Sequence, residues 1–186
     1  LLLGTLVTKI GYKNKASRGI AEARGGQRGP ENVWGSAATG CSLALLSCLL
    51  PNFLNLFMVG FASSFSAKLS DTFSSEIGKR FGKRTFLVTT LKPVPPGTEG
   101  AISIEGSIAG LFGSFIMTVV MLKLSIISGL FVAFMVFLSG YLATFIESYI
   151  GAVVQNKINW MTNELVNSIQ TSIAAIISIF LCLNYV

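Results

Sequence analysis

Hydrophobic and polar residues alternate in blocks along this chain. Apolar runs cover about 1–10, 36–50, 53–69, 107–122, 124–146 and 168–183. Polar intervals fall at 11–35, 70–106 and 147–167, and two short breaks sit at Pro51-Asn52 and near Lys123. Runs of this length without alternation predict helices, and irregular backbone is not tolerated in lipid, so the pattern predicts an all-α, polytopic transmembrane helical bundle with about six membrane segments. The runs 36–50 and 53–69 are short for spanning, at roughly 15 to 17 residues against the usual ~20. Their many small residues, from Gly60 to Ala67, favour close helix contacts.

Composition supports the membrane reading. Of 186 residues, 52% are hydrophobic and 12% charged, with mean hydropathy +0.68. A soluble domain carries about 25% charged residues. The whole chain, 1–186, reads as one integral-membrane domain. It opens at Leu1 inside an apolar run and without Met, which reads as a fragment or processed form lacking an upstream helix and any targeting peptide. There is no histidine, so His-based triads and the usual His metal sites are excluded. Cys41, Cys48 and Cys182 lie in apolar runs without a CxxC pair and read as small buried hydrophobes.

Charge is confined to the polar intervals. If each pair of apolar runs forms a hairpin, the intervals 11–35, 70–106 and 147–167 share one face. All eight acids then fall on or beside that face, as do all of the fourteen basic residues except Lys123. The net charge of +6 points to membrane orientation and anionic ligands. No nucleic-acid-binding motif is visible.

The interval 70–106 is the richest in chemistry. It holds Asp71, Glu76, Glu99 and Glu105 among the acids, and Lys79, Arg80, Lys83, Arg84 and Lys92 among the bases. Acids at a membrane are costly and are functional candidates by default. On a continuing helix Asp71 and Glu76 lie roughly 140° apart, so both could line a pocket at a helix end. Asp71 could equally be a solvated acid paired at i,i+3 with Lys68. With the hydroxyl of Ser75 nearby, the oxygen donors suit Mg²⁺, which keeps waters and takes one or two carboxylates plus phosphate. Lys79 and Lys83 stand beside glycines that let backbone N–H groups approach an anion. Three prolines then make Lys92 to Gly97 a rigid extended connector. It leads to Gly97-Thr98-Glu99-Gly100 and to Glu105, which could also simply complement a helix dipole. In the interval 11–35, Arg24 and Arg28 are phosphate-binding candidates among glycines. Glu147 ends a long apolar helix, where a carboxylate is disfavoured by the helix dipole, and is a third candidate metal ligand.

The run SDTFSSEIG, then GKRFGK, then TTLKPVPPGTEGAISIEG resembles the phytyl-phosphate kinase family of integral membrane proteins, which also includes transmembrane protein 19. The likeness extends to AEARGGQRGPENVWGS (Ala21 to Ser36) and covers most of the chain. More distantly, the spacing is similar to that of CTP-dependent dolichol kinases and phosphatidate cytidylyltransferases. The resemblance implies a kinase that moves the γ-phosphoryl of CTP or another nucleoside triphosphate to phytyl phosphate, for tocopherol and prenylquinone synthesis in a chloroplast or cyanobacterial membrane. The implied partners are a prenyl phosphate lipid, the nucleotide and membrane lipid, with Mg²⁺ as cofactor. On this reading Asp71, Glu76, Glu99 and Glu105 serve catalysis, and Asp71, Glu76 and Glu147 hold metal. Arg24, Arg28, Asn32, Ser75, Lys79, Lys83, Lys92, Gly97 and Thr98 hold phosphates. The rival readings are a transporter or flippase of lipid phosphates, a cytidylyltransferase and a non-catalytic membrane subunit.

Overall fold

A computed structural model describes residues 2–27, 29–155, 158 and 160–186. Among them, seven α-helices follow in order: α1 (Leu2–Lys9), α2 (Tyr12–Ser17), α3 (Pro30–Leu49), α4 (Leu54–Phe81), α5 (Ile104–Lys123), α6 (Leu130–Ile150) and α7 (Asn163–Cys182). A two-stranded antiparallel ribbon, β1 (Phe86–Leu87) and β2 (Ala101–Ile102), precedes α5, with Phe86 opposite Ile102 and Leu87 opposite Ala101.

Helix α4 is the centre of the bundle and packs against α3, α5, α6 and α7. This explains its composition. A helix ringed by other helices needs small side chains more than apolar ones. Ser63, Ser64, Ser66, Ser70 and Thr72 are all buried on it. Three of these hydroxyls are satisfied across interfaces: Ser63 Oγ donates to the Ala174 carbonyl of α7 at 3.1 Å, Ser66 Oγ lies 2.8 Å from Ser114 Oγ of α5, and Thr144 Oγ1 of α6 donates to Ser70 Oγ at 2.9 Å. Gly106, Gly110 and Gly113 of α5 face α4 at i, i+4 and i+7. A methyl group at Gly113 would stand 2.8 Å from the Leu69 carbonyl oxygen, so glycine is what lets these two backbones meet.

Three helices are long and apolar enough to cross a membrane: α5, α6 together with its continuation to Gln155, and α7, with mean hydropathies of 1.7, 1.9 and 1.8. The expectation of about six such segments is therefore too high among the described residues. The runs 36–50 and 53–69 belong to α3 and α4, which are 20 and 28 residues long. Helix α4 does not stop at Leu69 but carries on through Asp71 and Glu76 to Phe81. Asp71 accordingly sits inside a helix rather than at its end. The apolar–polar boundary marked the bundle's change of environment, not a break in hydrogen bonding.

Pro51 opens a 3₁₀ turn between α3 and α4, and Leu124 to Gly129 link α5 to α6. Both turns lie at the end of the bundle away from the ribbon, since α4 and α6 run from them toward it and α5 runs from it toward them.

In the segment after α4 the proline arm is extended, as expected, and folds back against Thr85 and Phe86, with Phe86 bridged antiparallel to Pro93. Thr85 donates its hydroxyl to the Val94 carbonyl, and the Val94 amide returns to Thr85 at 3.0 Å. The prolines thus sit in the return arm of a folded loop. Gly97 and Gly100 both have positive φ, 88° and 75°, a conformation that glycine adopts without strain.

Candidate functional site

The cavity of interest, about 290 Å³, opens where three parts of the chain converge. From α4 it receives Lys68, Asp71, Ser75, Glu76 and Lys79, which recur at helical spacing on one side of the helix. The loop Pro96 to Ser103 forms the facing wall. Thr144, Glu147 and Ser148 from the end of α6 close a third side, joined by Glu22 and Asn163. The polar intervals 11–35, 70–106 and 147–167, far apart in sequence, therefore meet around one cavity.

Its charges are unevenly paired. Lys68 Nζ donates to Asp71 Oδ2 at 2.8 Å and to Asn167 Oδ1 at 2.9 Å, as the i,i+3 spacing allowed. Glu76, 2% exposed, is engaged by the fully buried Lys15 of α2, which also donates to the Thr8 carbonyl at 2.9 Å. Glu99 stands at the rim. Partial desolvation raises its pKa above the ordinary carboxylate value; Lys79 opposes that rise and Asp71 adds to it. Solvent reaches Glu99, so the repulsion is screened. Ser148 donates to Glu147 Oε2 at 3.4 Å. Five carboxylates and two lysines thus line the space, with Lys15 behind one carboxylate.

Among the described residues, no three carboxylate or cysteine side chains converge tightly enough to form a ready-made metal cage. Mg²⁺ does not require one, since it keeps waters and shares its shell with phosphate oxygens. Asp71, Glu99 and Glu147 offer hard oxygen donors to a single cavity, and that donor set fits such an ion.

Sequence comparison places this architecture in a family. The model of the family described as integral membrane protein DUF92 matches residues 1–175. The chain belongs to the DUF92 family. An uncharacterised membrane protein of Synechocystis, sll0875, is 50% identical over 178 residues, covering 95% of this chain and 69% of the relative. Protein VTE6 of Arabidopsis thaliana, described as chloroplastic, is 45% identical over 185 residues, covering 97% of this chain and 55% of VTE6. The uncharacterised MJ0933 of Methanocaldococcus jannaschii is 31% identical over 180 residues, 97% of this chain and 72% of the relative. The chain therefore spans little more than half of VTE6. No solved structure matches it significantly.

In this DUF92 chain the cavity gathers Asp71, Ser75, Glu76, Lys79, Gly97, Thr98, Glu99 and Glu147 from the residues singled out by sequence. Others lie elsewhere. Glu105 sits in the first turn of α5 and accepts from the Lys83 amide at 3.4 Å, outside the cavity lining. The side chains of Lys83 and Lys92 are exposed. Arg24 pairs with Glu31 at 2.7 Å on the surface. Asn32 accepts the Gly29 amide at 3.2 Å, closing the start of α3, and reaches Glu164 at 3.3 Å. Arg28 lies outside the described residues.

Sequence reasoning missed Lys15, Ser103, Thr144 and Asn167. Lys15 was one base among several in a polar loop, and its partner is 61 positions away. No local periodicity could have paired them. Ser103 had a visible signal, since a serine before Ile-Glu-Gly at a helix start reads as an N-cap, and its Oγ does accept the Gly106 amide at 3.1 Å.

Proposed function

We propose that this cavity is the phosphoryl-transfer centre of a prenyl-phosphate kinase, which moves the γ-phosphoryl of CTP or another nucleoside triphosphate to phytyl phosphate and yields phytyl diphosphate. The observation that carries the reading is the charge inventory of the cavity. Carboxylates outnumber lysines there, so the cavity repels a bare polyphosphate and favours a divalent cation, through which a polyphosphate can be held. The site lies at one end of a bundle with membrane-spanning helices, where an amphiphilic acceptor can present its phosphate to water and keep its tail in lipid. The motif resemblance to phytyl-phosphate kinases and the similarity to the chloroplastic protein VTE6 agree with it.

In the reaction an oxygen of the prenyl monophosphate attacks the γ-phosphorus. The bond from that phosphorus to the β,γ-bridging oxygen breaks, and the nucleoside diphosphate leaves. The acceptor is already anionic, so no strong general base is needed, in keeping with a histidine-free chain. Asp71, Glu99 and Glu147 would hold Mg²⁺, which supplies neutralisation of charge developing on the phosphoryl oxygens. Lys79 approaches the phosphates directly, and Lys68 holds the Asp71 carboxylate in place. Gly97, Thr98 and Gly100 supply the facing wall. Glu76, held by Lys15, anchors α2 to α4. The similarity to chloroplastic VTE6 and to a Synechocystis membrane protein supports a chloroplast or cyanobacterial membrane, and on the family resemblance the product feeds tocopherol and prenylquinone synthesis.

The test is a phosphorylation assay on full-length protein in detergent, with phytyl phosphate, Mg²⁺ and either CTP or ATP. Phytyl diphosphate should form, and Asp71→Asn should lower the rate on the order of 100-fold while leaving the protein folded. Absence of product with both nucleotides from folded protein would remove the kinase reading and bring the transporter reading forward.

A further inference from the structure

A second cavity, about 270 Å³, lies beside the first on the outer flank of α5. Ile104, Ser107, Ile108 and Leu111 line it, the i, i+3, i+4 and i+7 positions of one helical stripe. This stripe turns away from α4, because the glycines at 106, 110 and 113 occupy the face that packs there. Phe86 of the ribbon and Tyr141 of α6 form the opposite sides. The groove is apolar and open, and its floor residues are unusually bare: Ile104 is 72% exposed and Ile108 53%. Large apolar side chains left open on a spanning helix face hydrocarbon.

Two residues belong to both cavities. Ile102 and Ser103 line the polar cavity on one side and the apolar groove on the other. The partition between them is thus the short β2–α5 junction. A ligand that fills both must have a slender apolar body and a strongly polar end. A phospholipid, with two chains and a glycerol between chains and phosphate, matches a single groove with an adjoining phosphate site poorly. A single-chain prenyl phosphate matches it well.

We propose that this groove binds the isoprenoid tail of the lipid phosphate whose head occupies the polar cavity, so that the acceptor enters sideways from the membrane between α5, α6 and the ribbon. The assignment of the head to the polar cavity rests on the kinase reading; the tail's position does not require turnover. Phe86 and Tyr141 act as the gateposts, and the chain's first carbons cross the junction at Ser103.

The experiment uses full-length protein in phosphatidylcholine nanodiscs and phytyl phosphate bearing a diazirine in the half of its tail nearer the phosphate. Photolysis should label peptides containing Ile104 to Leu111, and unlabelled phytyl phosphate should abolish that labelling although phosphatidylcholine is in large excess. Labelling elsewhere, or labelling that unlabelled phytyl phosphate does not compete, would overturn the assignment, since the groove would then hold bulk lipid. In parallel, Ile108→Trp narrows the groove from an exposed position that tolerates a larger side chain. The ratio of kcat/KM for phytyl phosphate to that for dimethylallyl phosphate should fall about tenfold. An unchanged ratio in an active, folded variant would also overturn it. Competed labelling without any turnover would retain the groove and reject the kinase chemistry.

Discussion

Lys15 is wholly buried against Glu76, and neither partner can lose the other cheaply. Removing the ammonium leaves a carboxylate in a low-dielectric setting, at a cost of about 3–5 kcal/mol. Lys15→Met should therefore lower the thermal midpoint markedly in detergent, and the double change Lys15→Met with Glu76→Leu should recover much of that loss. A single variant as stable as the parent would mean that the pair is solvated. Glu99 gives a pH-dependent expectation. Its pKa is raised in the folded chain, so the folded state binds its proton more tightly than the unfolded chain does. Stability is then greatest below the ordinary carboxylate value and is lost as pH rises through the raised one. Glu99→Gln should remove that loss. Melting curves should show the variant gaining on the parent at neutral pH, with the gap closing in acid.

At the scale of elements, the contact of α4 with α5 is the tightest constraint. Gly113→Ala places a methyl group against the Leu69 carbonyl, so one backbone must shift. Overpacking costs about 1–3 kcal/mol, against a helix-propensity gain of roughly 1 kcal/mol. The net result should be destabilisation, read as a lower midpoint in a thermal melt, together with lower activity because Lys68 to Lys79 move with α4. Helix boundaries here were partly hidden in the sequence. The change from apolar to polar at Leu69 looked like a helix end, but backbone hydrogen bonding is indifferent to side-chain polarity, and α4 continues for three more turns. The ribbon was also hidden, because strands of two residues carry no measurable periodicity.

Across the whole molecule, the acids and most bases gather at one end of the bundle, and the turns at Pro51 and at Leu124 to Gly129 lie at the other. In a membrane this separates the cavity from the α5–α6 turn by the length of a spanning helix, ~30 Å. Thr98→Cys and Ser125→Cys, each in a background lacking the natural cysteines, should react with a membrane-impermeant maleimide from opposite sides of sealed vesicles. Reaction of both from the same side would refute the arrangement.

The sequence by itself determined the class of the molecule, because burial in lipid demands long apolar helices and leaves polar intervals only at the ends. It also singled out most of the charged residues that line the cavity, since Asp71 and Glu147 are costly acids beside apolar runs and Glu76, Lys79 and Glu99 share the polar interval 70–106. Only the tertiary structure decided which of these meet. Lys15 satisfies Glu76, Glu105 turns to the Lys83 amide, and Glu99 and Glu147 arrive at the same cavity from a loop and from α6. Such pairings depend on distances between residues 22 to 61 positions apart. They follow from how α4 is enclosed by its neighbours, which no local pattern along the chain encodes.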